Sequence, residues 1–229
     1  MPMKAVLFDF NGTLFCDTQF HLAAWHNFFK KVQGRDYPRE ALLRRCIGPC
    51  NDAIFRDFFE KELAPDQKKT YEKIKEDEYR AAVLADPRNT ALRRGAGEFL
   101  DYLTENQIPF ALATASPIEN VEFYLEHLGL KKWFTLGKIV YDDGNIPQKP
   151  HPAFYLEAAR RLNLSPADCL IAEDSVTGIR SALAAGAGRI VALSGTTPME
   201  KLSEIDGLFA IAEDFCGFER VLRERFYTN

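Results

Sequence analysis

Long apolar runs are missing from this chain: nothing in its 229 residues approaches the roughly 20 consecutive apolar residues a helix needs to cross a bilayer. Met1-Pro2-Met3-Lys4 leads into a short apolar stretch rather than a secretory core, so a cytoplasmic location is expected. Positive charge is not in excess either. With 29 Lys and Arg against 33 Asp and Glu the formal charge is -4, which leaves no broad basic field for nucleic acid or an anionic membrane surface. A small anion held by a few placed cations stays open. Cysteine is sparse, odd in number and scattered (Cys16, Cys46, Cys50, Cys169, Cys216), which argues for reduced thiols and against a disulfide framework. Cys46 and Cys50 have the spacing of one helical turn, but no His or further Cys accompanies them. They read as small buried hydrophobes rather than zinc ligands. No internal repeat or low-complexity segment is present.

What is there begins at residues 4–14. Ala5, Val6, Leu7 and Phe8 form an apolar run without alternation, the pattern of a strand buried on both faces of a parallel sheet. Asp9 follows at once, where such a strand ends, and open α/β sheets bind ligands outside the carboxyl ends of their strands. Gly12 permits a tight turn, and Gly12 and Thr13 are small enough to leave backbone N–H groups facing an anion. Taken alone, the stretch fits equally an Asp9 that caps the next helix and an ordinary Asn11-Gly12 turn.

Helical periodicity then runs to about Asp86. His21, Leu22, Trp25, Phe28, Phe29 and Val32 recur at helical spacing, and Ile54, Phe55, Phe58 and Phe59 do so after the Gly48-Pro49 break. Residues 68–80 are charge-rich and read as a largely solvated helix. Four helices are expected, closed by the Asp86-Pro87-Arg88-Asn89 linker. From Leu92 strands and helices alternate, with strands over 109–113, 169–172 and 190–193, a weak one ending at Ile211, and a closing helix over 215–226. This predicts an α/β fold: a doubly wound parallel-sheet core of residues 1–15 and 91–229, carrying a four-helix insert over 16–90.

Three further stretches bear chemistry. Thr114-Ala115-Ser116 puts hydroxyls where the strand over 109–113 ends, for which a helix N-cap is the ordinary account. Lys149 sits between a glycine-containing loop and a helix beginning near Pro152, with His151 as a helix-cap residue. Glu173-Asp174 follows a buried strand, and two adjacent carboxylates there are costly without a cation, which favours a metal.

Asp9-Phe10-Asn11-Gly12-Thr13-Leu14 resembles the first motif, Asp-x-Asp-Gly-Thr, of the haloacid dehalogenase-like hydrolases, with Asn11 in place of the second Asp. Thr114, Lys149 and Glu173-Asp174 are similar to the motifs that follow, in the family's order, so the resemblance spans essentially the whole chain. It implies a Rossmann-like core, with the insert acting as a cap as in β-phosphoglucomutase-like members. The implied activity is Mg²⁺-dependent phosphatase chemistry on a small phosphorylated metabolite, sugar-phosphate-like. Asp9 would attack phosphorus, Thr114 bond a phosphoryl oxygen and Lys149 neutralise charge. Mg²⁺ would be held by Asp9, Asp174 and the Asn11 backbone carbonyl, with Glu173 behind them or acting through water. Gly12, Thr13, Ala115 and Ser116 would line the phosphate, and His21, Trp25 and Asn51 of the cap the rest of the substrate.

Two departures matter. Asn11 cannot relay a proton, a role worth roughly 10²- to 10⁴-fold in rate; it is read as native, with an engineered change made to trap the protein, or partial deamidation of Asn11 to Asp, as the other accounts. Asn51 stands where the mutases place an arginine for a second phosphate, so monophosphate hydrolysis ranks above a mutase reaction. Phosphonate cleavage, which resembles a neighbouring branch, would need a cap lysine such as Lys30 or Lys31. A phosphate-binding protein with little turnover is the reading outside enzymes. A monomer or weak homodimer is expected.

Overall fold

The structure, a computed structural model, describes residues 3–220. Met1, Pro2 and residues 221–226 of the closing helix expected over 215–226 lie outside the described residues, and residues 215–217 are a turn rather than helix. Strand β1 (Ala5–Phe8) is buried along its whole length. It pairs in parallel with β2 (Phe110–Pro117) on one side and β4 (Cys169–Glu173) on the other. Outside these lie β3 (Ile139–Asp142), β5 (Arg189–Leu193) and β6 (Ala210–Ala212), giving six parallel strands in the order β3-β2-β1-β4-β5-β6. The chain builds outward from β1 to β3 on one side, then crosses over to begin the other side at β4. The crevice at the carboxyl ends of β1 and β4 is therefore the switch point of the sheet, where ligands bind in folds of this kind.

Alternate residues serve the two faces. Ala5, Leu7, Ala111, Ala113 and Ile171 pack against Phe154, Tyr155 and Ala158 of α7 (Ala153–Arg161) and Ile179 and Ala182 of α8 (Val176–Ala184). On the opposite face Phe8 meets Phe99 of α5 (Ala96–Glu105) and Phe215 edge-on, each at a ring separation of 6.0 Å.

Two elements escape the sequence reading. The edge strand β3 has only two fully buried residues before Tyr141 and Asp142, too short for any period to show. Residues 199–203 form a single five-residue helix, Met199–Ser203, for the same reason. A third difference bears on the site. β2 continues through Thr114, Ala115 and Ser116 to Pro117, and α6 (Ile118–His127) starts beyond it with no side-chain cap. Neither Thr114 nor Ser116 is a helix cap.

The chain divides into two compact units, Met1–Cys16 with Ala91–Asn229, and Asp17–Thr90. The second contains α1 (Thr18–Gln33), α2 (Arg39–Cys46), α3 (Asn51–Phe58) and α4 (Pro65–Leu84). Its core is aromatic: Trp25, Phe28, Phe29, Phe55 and Phe58 cluster with Leu22, Leu42 and Ile54, and Phe29 stacks on Phe58 at 4.4 Å. Helix α4 is not simply solvated, since Lys75, Glu76, Tyr79 and Val83 are buried in it; its buried face is partly built of charges that pair with one another, which composition hides. Cys46 is buried at the end of α2, whereas Cys50 is exposed, because a break separates the two helices. No helix among the described residues is long and apolar enough to cross a membrane.

Phe99→Ala should cost about 3–5 kcal/mol in urea unfolding, the usual toll of an aromatic cavity. Leu136→Ala, at a side chain 45 % exposed, should stay within about 0.5 kcal/mol. Equal effects at the two positions would contradict this account of the core.

Candidate active site

Asp9 continues the ladder past β1, its N–H donating to Ala172 O at 3.0 Å. Asp174 follows β4, the neighbouring strand, so the two carboxylates are brought together by strand pairing alone. Between them runs a tight turn. Thr13 N–H and Phe15 N–H both donate to Phe10 O, and Gly12 N–H donates to Phe15 O. Gly12 has φ +80°, and the place a Cβ would take is filled by the Asp174 carboxylate and Thr196 Oγ1. Thr13 Oγ1 donates to Asp174 Oδ1 at 3.1 Å.

Lys149 comes from the loop before α7 and is held from four sides. Its Nζ donates to Asp9 Oδ1 (2.7 Å), Glu173 Oε1 (2.9 Å), Tyr155 Oη (3.0 Å) and Ala113 O (3.2 Å). Burial alone would lower its pKa, but the charges of Asp9 and Glu173 outweigh it and hold the ammonium well above its ordinary value. Burial and the Glu173 charge likewise push the Tyr155 phenol well up, so this hydroxyl stays a neutral donor to Glu173 Oε1 at 3.1 Å.

The adjacent acids differ in what they lack. Glu173, 1 % exposed, accepts from Lys149 and Tyr155 on one oxygen, and from Asp174 N–H, Ser175 N–H and Ser175 Oγ on the other. Asp174 is as buried, and burial followed by the charges of Glu173 and Asp9 drives its carboxyl well above the ordinary range despite the Thr196 and Thr13 hydroxyls. Asp9, Glu173 and Asp174 can each bring one oxygen within 4.8 Å of the others. Lys149 bonds two of the three clustered carboxylates, Asp9 and Glu173, and Asp174 is left with hydroxyl partners, so a hard divalent cation with oxygen ligands fits both the charge at Asp174 and the donor set.

Asn11 is fixed by hydroxyls. Its Oδ1 accepts from Thr114 Oγ1 (3.2 Å) and Ser116 Oγ (2.8 Å), and its Nδ2 donates to Tyr124 Oη (3.0 Å). Ser116 Oγ and Tyr124 Oη are themselves 3.1 Å apart. Ala115 is exposed between two buried hydroxyl residues. Gly12, Thr13, Thr114, Ser116, Lys149, Glu173 and Asp174 thus gather around the end of β1 with Asp9 and Asn11. His151 accepts Ala153 N–H at the start of α7 through Nδ1, at 3.2 Å.

Within the helical unit the predicted residues part company. Trp25 belongs to the aromatic core of this unit and is 1 % exposed. His21 lies at 13° over the Tyr79 ring, with Nδ1 2.9 Å from Lys75 Nζ and Nε2 3.3 Å from Asp17 Oδ2. Asn51 donates to Glu76 Oε1 at 3.1 Å, and Lys75 pairs with the same oxygen at 2.8 Å. Lys30 and Lys31 are exposed. The sequence reading missed Tyr124, Tyr155, Lys75 and Glu76. A tyrosine in an otherwise apolar helix stripe is the one signal that marked the first two.

The sequence profile of the haloacid dehalogenase-like hydrolases matches residues 3–186. The bifunctional riboflavin kinase/FMN phosphatase of Arabidopsis thaliana is 42% identical over 93 residues, 40% of this chain and 24% of that protein, so the chain spans about a quarter of its length. The phosphorylated carbohydrates phosphatase of Thermotoga maritima is 30% identical over 192 residues, covering 82% of this chain and 84% of that one. Among solved structures, a family IA, variant 3 HAD hydrolase from Entamoeba histolytica superposes with a TM-score of 0.89 at 31% identity, over 96% of this chain and 98% of the other. A match that begins ahead of β1 and ends beyond α8, with phosphatases as relatives, makes this chain a member of the haloacid dehalogenase-like hydrolases.

Proposed function

We propose that the protein hydrolyses small phosphomonoesters, sugar-phosphate-like in character, with Asp9 as nucleophile. The observation that carries this is the Asp9 carboxylate, held by Lys149 at 2.7 Å at the switch point of the sheet and clustered with Asp174 and Glu173. The relatives named as phosphatases of phosphorylated carbohydrates and of FMN support the substrate class. We assign the helical unit, residues 17–90, the role of a cap.

In this reading an Asp9 oxygen attacks phosphorus, the bond from phosphorus to the ester oxygen breaks, and water then cleaves the aspartyl-phosphate to release phosphate. Lys149 holds and aims Asp9, and Glu173 and Tyr155 keep Lys149 in place. Thr114 Oγ1 turns from Asn11 Oδ1 to a phosphoryl oxygen. Asp9, Asp174 and the Asn11 backbone carbonyl would hold Mg²⁺, which supplies positive charge to the phosphoryl oxygens when bound. Asn11 has no proton to give, so the leaving oxygen takes one from solvent and good leaving groups are favoured.

The Asn11 cage also favours a second reading, a phosphate-binding protein with little turnover. Activity on p-nitrophenyl phosphate and on a panel of phosphorylated metabolites separates the two. Wild type should cleave the activated ester, Asp9→Asn should abolish cleavage, and Asn11→Asp should raise turnover of alkyl phosphates by roughly 10²- to 10⁴-fold. Phosphate binding with no cleavage by wild type or Asn11→Asp would leave the binding reading.

Asp174 gives a second test. A carboxyl group whose pKa rises on folding contributes stability at low pH that is lost as pH climbs through the raised value. Metal-free protein should therefore lose Tm as pH rises past the ordinary carboxylate range. Asp174→Asn should flatten that loss, and at neutral pH should raise the metal-free Tm while removing the stabilisation by Mg²⁺. Scanning fluorimetry in EDTA and in Mg²⁺ reads both effects; a metal-free Tm lowered by the substitution would count against the repulsion argument.

A further inference from the structure

Arg93 takes no part in the chemistry above, yet its side chain is buried beside it. It stands where the chain returns from residues 17–90, and its backbone N–H donates to Leu14 O at 2.8 Å, tying the outgoing and returning passages together. Its guanidinium spends its donors on four backbone carbonyls. Nε donates to Thr13 O at 2.8 Å, Nη2 to Gly12 O, and Nη1 to Ser194 O at 2.9 Å and Glu213 O at 2.5 Å. Those carbonyls come from three segments: the turn after Asn11, the end of β5 and the end of β6. Gly195, beside Ser194, has the guanidinium 3.2 Å from where its Cβ would be.

The first two acceptors are the ones that matter. Gly12 and Thr13 form the turn whose far side lies against Asp174, with no room for a Cβ at Gly12 and with the Thr13 hydroxyl bonded to Asp174 Oδ1. The turn is thus gripped between Arg93 and Asp174. We propose that Arg93 is a positioning residue: it fixes the Gly12 and Thr13 peptides so that Thr13 holds Asp174, and the backbone of Asn11 is held beside Asp9, in the arrangement that accepts a divalent cation and phosphate. A planar fork with five N–H groups can bond carbonyls from three segments at once, and a lysine ammonium, a compact point charge with three donors, cannot reproduce that geometry. The inference rests on the phosphatase reading for its effect on rate, but not for its effect on metal binding.

The test uses the full chain with Arg93→Lys and Arg93→Met. Three quantities are measured: steady-state kinetics on p-nitrophenyl phosphate at saturating Mg²⁺, Mn²⁺ affinity by electron paramagnetic resonance, and folding by circular dichroism and urea. Partners that orient metal ligands are typically worth 10- to 100-fold in affinity or activity. Folded Arg93→Lys should therefore lose roughly 10- to 100-fold in kcat with KM changed less than about threefold, and should bind Mn²⁺ roughly tenfold more weakly. Wild-type kcat and Mn²⁺ affinity in either folded variant, or a loss confined to KM, would overturn the proposal. If Arg93→Met does not fold, Arg93→Lys decides; if neither folds, Arg93 is a stability residue and the positioning role fails. A wild type without turnover would defeat the phosphatase reading, while the Mn²⁺ measurement would still judge Arg93.

Discussion

Three carboxylates buried at the ends of two neighbouring strands repel one another, and one lysine makes that arrangement tenable. Lys149 bonds Asp9 and Glu173 through a single Nζ and takes two further acceptors from the sheet and from α7. Breaking such a buried pair typically costs about 3–5 kcal/mol, because the abandoned charge stays desolvated. The ammonium is therefore a structural necessity of this crevice, and its position is set by groups on β2, β4 and α7. The parallel sheet brings these elements to one crevice, and the loop before α7 carries the lysine into it.

Asn11 shows how one atom pair redirects a site. Its carboxamide both accepts and donates, so it bonds Thr114 and Ser116 through oxygen and Tyr124 through nitrogen. A carboxylate could only accept, and Tyr124 would have to reverse its hydroxyl to serve it. The cage uses both the oxygen and the nitrogen of the amide, and this supports Asn11 as the working residue of this chain. In the proposed reading phosphate binding needs charge and donors, which Lys149, Thr114 and the turn would provide; proton relay needs an acid, which the amide is not.

Much of this was legible in the sequence because the signals were local. Residues 5–9 spell a buried strand with an acid at its end, and Glu173-Asp174 repeats the pattern, so the placing of both acids followed from strand ends alone. The Gly-Thr turn and the lysine were marked by their neighbours. What stayed hidden depends on atoms far apart in sequence. Tyr124 and Tyr155 count as apolar in any periodicity, and only their hydroxyls, 113 positions from Asn11 and 18 from Glu173, give them a polar task. Trp25 sits at helical spacing with His21, but period alone cannot say which member of a stripe lies in the core. Lys75 and Glu76 escaped because a charge-rich helix reads as solvated whether or not its charges pair inward. The strand at 139–142 was too short to have a period.

Glu173 and Asp174 share a strand end and nearly the same burial, so composition cannot separate them, yet their hydrogen bonds do. Glu173 has both oxygens filled by five donors and has little left to offer an ion. Asp174 receives hydroxyls only, against two nearby carboxylates, and its raised pKa records the shortage. Environment separates two neighbouring acids: one is taken up by the lysine and the start of α8, and the other is the one that the proposed cation would serve. The same turn that presses Gly12 against Asp174 is anchored behind by Arg93, so the carboxylate with hydroxyl partners alone lies against a turn held in place from its other side. A cluster built this way brings oxygens together and leaves Asp174 without a matching cation, the two conditions that the proposed divalent-cation site requires.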